Sequence, residues 1–140
     1  MIKNRNTRPM QVTTAVVVFC IVLVVGTTSG LWHIVHNPAI SKLSGVMVYA
    51  KYIAYGAIVG GFVLNALFIY KIFRGQNWAR IIYLVFFILG WLFSIPDLSL
   101  AFHKPKLSLI LVACGFVAQI IGLILIFREP GSTWFRTQVV

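Results

Sequence analysis

The chain alternates between long, uncharged apolar runs and short segments that carry most of its charged residues. A bilayer core about 30 Å thick is crossed by a helix of about 20 apolar residues, because each residue adds about 1.5 Å. Four runs reach or approach that length: Val12 to Trp32, about Tyr49 to Tyr70, Trp78 to Ile95, and Leu107 to Phe127. The pattern predicts an all-α membrane protein in which residues 1–140 form a single four-helix transmembrane bundle.

Local sequence signals mark the start and the end of the third predicted helix, which is the shortest of the four. The turn-like segment 75–77 precedes it, and Asn77 is expected to cap the amides of a helix that begins at Trp78. Pro96 and Asp97 are expected to end it, because proline lacks an amide donor and disfavours helix in the residue before it. The first run, at about 20 apolar residues, predicts a retained membrane helix in place of a signal peptide.

Composition supports residence in lipid. Hydrophobic residues make up 60% of the 140 and charged residues 10%, and the mean hydropathy is +0.95, unlike a soluble domain. Twelve Lys and Arg face only two acids, Asp97 and Glu129, for a formal net charge of +10. The bases lie in short clusters between apolar runs, so they predict lipid headgroup contact and topology control, with no nucleic acid partner.

The distribution of bases predicts the orientation, because cytoplasmic loops retain Lys and Arg during insertion. All the arginines fall on one predicted side, with two of the lysines: Lys3, Arg5, Arg8, Lys71, Arg74, Arg80, Arg128 and Arg136. The other side receives four lysines and no arginine: Lys42, Lys51, Lys104 and Lys106. We therefore expect both termini to be cytoplasmic, with two short loops on the outer side.

Small residues recur four apart along three of the predicted helices. These pairs and stripes are Gly26 with Gly30, Gly56 with Gly60, Ala57 with Gly61, and Cys114 with Ala118 and Gly122. Lipid tails are as apolar as leucine, so membrane helices associate through close backbone approach and polar contacts. These faces are expected to pack within the bundle; the alternative is a dedicated dimer interface.

Two amides lie within predicted spans, Asn65 in the second and Gln119 in the fourth. Both are expected to face protein, since an unpaired amide in hydrocarbon costs several kcal/mol. They would be within reach of each other if the second and fourth helices are neighbours. The prediction is a structural amide clasp, and the alternative is a polar station in a transport path.

The three histidines, His33, His36 and His103, fall on the predicted outer side. His33 and His36 are three apart, which places two imidazoles on one helical face. With His103 they would suit a zinc or copper site or a pH-sensitive cluster. The favoured interpretation is that they are ordinary interfacial histidines.

Catalytic patterns are absent from the sequence. No carboxylate lies inside a predicted span, which argues against a proton-coupled pump or an ion carrier. There is no H-E-x-x-H, P-loop or nucleophile elbow, so neither enzyme activity nor a cofactor is predicted.

Residues 75–80 form a G-x-N-W-A-R segment that resembles one common in small bacterial four-span membrane proteins of uncharacterised function. The tail, with Pro130 followed by W-F-R at 134–136, resembles the ends of many of those chains. The resemblance implies a bacterial inner membrane location and no assigned activity. In physical terms, Trp78 with Arg80, and Trp134 with Arg136, are interpreted as interface anchors, an aromatic beside an arginine that pairs with phosphate.

Three hypotheses of function follow. The first is a non-enzymatic membrane protein that binds another membrane component, such as an accessory subunit or an immunity protein against a pore-forming toxin. The second is a small transporter or channel, as a monomer or a dimer, whose path is lined by Asn65, Gln119 and the Thr27 to Ser29 run. The third is a metal or pH sensor on the outer side that uses the histidines.

Overall fold

The computed structural model describes residues 8–36, 47–101 and 106–137, with side chains described for 8–36, 49–92 and 110–136. The helices are α1 Met10–His36, α2 Met47–Phe73, α3 Asn77–Ala101, α4 Lys106–Phe127 and the short α5 Gly131–Thr137. The described ranges contain helices and no strand, so the all-α prediction is confirmed.

Three stretches are long and apolar enough to cross a membrane: Met10–His36, Tyr49–Phe73 and Ile110–Phe127. The stretch Asn77–Leu92, which covers the described side chains of α3, is apolar but shorter. The helices therefore support a membrane-embedded protein with three or four spanning segments.

The buried core lies at one end of the bundle. There the start of α1, the end of α2, the start of α3, the end of α4 and α5 meet, through Val12, Ile72, Ala79, Ile126 and Phe135. Starts and ends alternate at this site, so successive long helices run in opposite directions. We call it the basic end, because it holds the described arginines Arg8, Arg74, Arg80, Arg128 and Arg136.

Packing between the helices is uneven. α1 lies along both α2 and α4, whereas α3 lies against α2 and only lightly against α4. Within the described residues, α2 and α4 make little contact with each other. As a result, a gap opens between α2, α3 and α4 away from the basic end.

A glycine C-cap ends α2. Gly75 has φ 79°, its amide donates to the carbonyl of Ile72, and the amide of Gln76 donates to the carbonyl of Lys71. This is the Schellman pattern, in which a left-handed residue, usually glycine, lets the last carbonyls find donors. The break expected at 75–77 is confirmed at Gly75 and Gln76, whereas Asn77 already belongs to α3.

The start of α3 differs from the predicted cap. The helix includes Asn77, the amide of Ala79 donates to the carbonyl of Gln76, and the Oδ1 of Asn77 is buried without a hydrogen bond among the described residues. Gln76 therefore occupies the N-cap position, because the Schellman turn at Gly75 leads into helix one residue earlier than expected.

The structure also corrects the predicted end of the third helix and adds a helix in the tail. α3 continues through Pro96 to Ala101, where the sequence predicted an end at Ile95. A proline removes one donor, and membrane helices tolerate it because local adjustments satisfy the carbonyl that it leaves free. The tail forms α5, a helix that the hydropathy pattern did not predict.

Candidate functional site

A cavity of about 380 Å³ occupies the gap between α2, α3 and α4. Its polar lining includes the Asn65 and Gln119 amides, which the sequence singled out. Both residues precede the last residue of their helix by eight positions, Asn65 in α2 and Gln119 in α4. At about 1.5 Å per residue they lie at a common depth, about 12 Å from the basic end.

The two amides differ in their hydrogen bonds. The Asn65 Nδ2 donates to the carbonyl of Gly61 on its own helix at 2.8 Å, which leaves its Oδ1 as an acceptor. The Gln119 amide has no hydrogen bond to any part of the chain that the structure describes. The two side chains therefore line one cavity without forming the predicted amide clasp, since α2 and α4 are not close neighbours.

Aromatic side chains of α3 form the rest of the wall. They are Tyr83, Phe86, Phe87 and Trp91, and Gly90 lies among them. Phe116 of α4 packs against two of these rings, with its centroid 5.6 Å from that of Phe87 and 4.4 Å from that of Trp91. This wall was not predicted from the sequence, although the spacing of four between residues 83, 87 and 91 is the signal of a common helical face.

The Thr27 to Ser29 run does not line this cavity. The hydroxyls of Thr27 and Thr28 donate to carbonyls one turn earlier, those of Leu23 and Val24. Their hydrogen-bonding capacity is thus used within α1, as is common for threonine in helices.

The predicted small-residue contacts divide into two groups. A Cβ added at Gly122 would overlap the ring of Phe19, so α4 approaches α1 as closely as glycine allows. A Cβ added at Gly56, Gly60 or Gly61 would meet nothing within 4 Å. The close approach expected of these three glycines therefore does not occur within the described chain.

Two of the open glycines lie on one exposed side of α2. We call this side the glycine face: Gly56 and Gly60, flanked by Ile53, Val59 and Val63, all exposed. Gly60 and the buried Ile69 are nine residues apart, which at about 100° per residue puts them on opposite sides of the helix. The glycine face thus points away from the core.

Arg80 is buried at the basic end, with 7% of its surface exposed. Its Nη1 donates to the carbonyl of Ile126 at 3.4 Å, and its Nε has no hydrogen bond among the described residues. Its Cζ lies 4.9 Å from the ring centroid of Phe135 and 5.1 Å from that of Phe127. The side chain therefore packs inside the protein, unlike the headgroup anchor expected from the sequence.

The other predicted anchors are more accessible. Trp78 and Arg136 are exposed, and Trp134 is half-buried. The Cζ of Arg8 lies 3.5 Å from the ring centroid of Phe73 and 5.9 Å from that of Trp134. Guanidinium groups thus join α5 to the start of α1 and the start of α3 through aromatic rings.

Of the predicted metal ligands, His33 and His36 are exposed at the end of α1, and His103 lies outside the described residues. The His36 ring stacks on Trp32 at 3.8 Å between centroids, with its Nδ1 3.1 Å from the carbonyl oxygen of Trp32. Within the ranges described, no three metal-binding side chains come together.

Comparison with known proteins gives no match: no protein-family model, no curated protein and no solved structure is similar to this chain. The resemblance of residues 75–80 to small four-span proteins stays a prediction.

Proposed function

We propose that the chain is a non-enzymatic protein of a bacterial cytoplasmic membrane that acts by binding another membrane component through helix contacts. An accessory subunit of a membrane complex and an immunity-type protein are roles of this kind. The uncovered glycine face of α2 is the observation that carries the proposal.

Four spans with both termini in the cytoplasm fit the distribution of charge. The described arginines gather at the basic end, and the positive-inside rule favours the cytoplasm for that end. In this orientation α3 crosses the whole membrane, although its described side chains cover only part of that length. The short helix α5 then lies at the cytoplasmic surface.

The glycine face has the shape that membrane helices use for association. Two glycines four apart form a shallow groove, and the β-branched Ile53, Val59 and Val63 rise beside it. A partner helix in this groove approaches the backbone closely, which is the main source of attraction where lipid removes the hydrophobic driving force.

The buried share of each helix also favours α2 as the binding surface. Only 6% of the most apolar stretch of α2 is buried, against 22% in α1 and 17% in α4. Among these three helices, α2 therefore has the most surface left for a partner.

A single substitution tests the proposal. Gly60→Ile fills the groove without an internal clash, because a Cβ there meets nothing within 4 Å. Gly26→Ile is the matched control on α1, where a Cβ is equally unobstructed. Tagged full-length chains are purified from their native membranes in mild detergent, and self-association is measured by energy transfer between two labelled populations.

We expect either a co-purifying membrane protein or energy transfer between copies, lost in Gly60→Ile and kept in Gly26→Ile. The first result identifies a different partner, and the second identifies another copy of the chain. Recovery of only the bare, monomeric chain, or association that Gly60→Ile leaves unchanged, would contradict the proposal.

A small transporter or channel is the second candidate, favoured by the shared cavity of Asn65 and Gln119 near the middle of the bilayer. Reconstituted vesicles would then show flux that Asn65→Leu or Gln119→Leu abolishes. Vesicles without flux would remove this candidate and leave the first unaffected.

A further inference from the structure

The cavity between α2, α3 and α4 lies at hydrocarbon depth. Its amides are about 12 Å from the basic end, and Trp91, further along α3, extends the wall away from that end. Half of a bilayer core is about 15 Å thick, so the cavity lies near the middle. A molecule that enters through the open, lipid-facing side must therefore be soluble in lipid.

The lining carries no charged side chain. An ion moved to this depth without a partner would lose its hydration with nothing to replace it. The cavity therefore favours an uncharged occupant. Its volume of about 380 Å³ falls within the usual range for small-molecule sites.

Ring faces and edges dominate the wall. Tyr83, Phe87 and Trp91 follow one another four residues apart on α3, and Phe86 lies beside them. Aromatic walls of this kind bind a flat ring better than a flexible chain, because offset and edge-to-face contacts add to the dispersion attraction.

The amides supply hydrogen-bonding groups that no described part of the chain uses. The Gln119 amide offers both donor and acceptor, and the Asn65 Oδ1 offers an acceptor after its Nδ2 has donated to Gly61. In hydrocarbon an unused donor is costly, so a ligand oxygen that accepts a hydrogen bond from the Gln119 amide nitrogen is favoured.

We infer that this cavity binds an uncharged, lipid-soluble ring compound of the quinone type, whose carbonyl oxygen accepts a hydrogen bond from the Gln119 amide while its ring packs between the aromatic side chains of α3. The site shares its cavity with the second candidate function but requires no transport. Saturable binding without flux supports the inference and excludes the transporter function. Flux without binding of a neutral ring compound supports the transporter function and contradicts the inference.

Equilibrium binding of radiolabelled tetramethylbenzoquinone to the full chain in lipid nanodiscs tests the inference. Wild type is expected to bind saturably above the partition into empty nanodiscs. Gln119→Leu keeps the cavity but removes the donor, and is expected to weaken binding by about fivefold to tenfold.

A second variant tests the cavity independently of the amide. A Cβ added at Gly90, which lines the cavity, meets nothing within 4 Å, and the larger side chain of Gly90→Leu is expected to occupy the cavity and abolish saturable binding. Gly26→Leu adds the same side chain at an equally open glycine outside the cavity and should bind like wild type.

The charged probe phenyltrimethylammonium distinguishes a neutral site from a cation site of similar aromatic character. We expect it not to compete with the quinone. Absence of saturable quinone binding, wild-type affinity in both Gln119→Leu and Gly90→Leu, or effective competition by the cation would each overturn the inference.

Discussion

The ring of Phe19 in α1 lies directly over the backbone of Gly122 in α4, so that a Cβ at Gly122 would be 2.9 Å from the Cζ of that ring. Phe19 is only 1% exposed, and its centroid is 4.7 Å from that of Tyr83. The ring is therefore packed between Gly122 and Tyr83. This contact fixes the closest approach of α1 and α4.

Gly122→Ala is accordingly expected to destabilise the fold by about 1–3 kcal/mol, the usual range for overpacking a close contact. Unfolding in mixed detergent micelles measures the change. Gly115→Ala on the same helix is the control, because its added Cβ would lie at an ordinary 4.0 Å from the Cγ1 of Val22. Equal losses in the two variants would show that the Phe19 contact is not close-packed.

Arg80→Lys is expected to loosen α5. Lysine keeps the charge but loses the planar guanidinium that lies near Phe127 and Phe135, at a cost of about 1 kcal/mol. Hydrogen exchange of the amides of residues 131–137 should then be about fivefold faster.

Arg74→Lys is the matched control for this change. Arg74 is exposed, and its Cζ is 6.0 Å from the ring centroid of Tyr70, so the exchange of α5 should not alter. Unchanged exchange in Arg80→Lys would mean that the buried guanidinium does not hold α5 in place.

Gly131→Ala tests the same junction from the side of α5. An added Cβ would lie 2.9 Å from the carbonyl oxygen of Leu125, a backbone atom that cannot rotate away. We expect faster exchange throughout α5, because its first turn must lift off the end of α4. Ser132→Ala, at the adjacent half-buried position, is the control and should leave hydrogen exchange near the wild-type rate. Equal exchange rates in the two variants would argue against close packing of α5 on the end of α4.

Hydropathy was sufficient to predict the helical class and the apolar segments, because the length of an uncharged run reports directly on its ability to cross lipid. The helix end predicted from Pro96 was wrong, because the proline signal is weaker in a membrane helix than in a soluble one. Hydropathy missed α5, whose seven residues are too few for a hydropathy signal and are held by Phe135 and the surrounding rings.

The small-residue pattern predicted which faces permit close approach but not which neighbour covers them. Gly122 meets Phe19, whereas Gly56 and Gly60 face open space, although the spacing that singled them out is the same. For the amides, the sequence predicted that Asn65 and Gln119 face protein, but only the arrangement of the helices shows that they line one cavity without bonding to each other.

The proposed topology is a chain that crosses the membrane four times, with its basic end and both termini in the cytoplasm. A dual reporter fused after Val140, active as a phosphatase only in the periplasm and fluorescent only in the cytoplasm, measures this directly. We predict membrane-bound fluorescence without phosphatase activity. Phosphatase activity, or fusion protein left in the aqueous fraction after membranes are pelleted, would contradict the account.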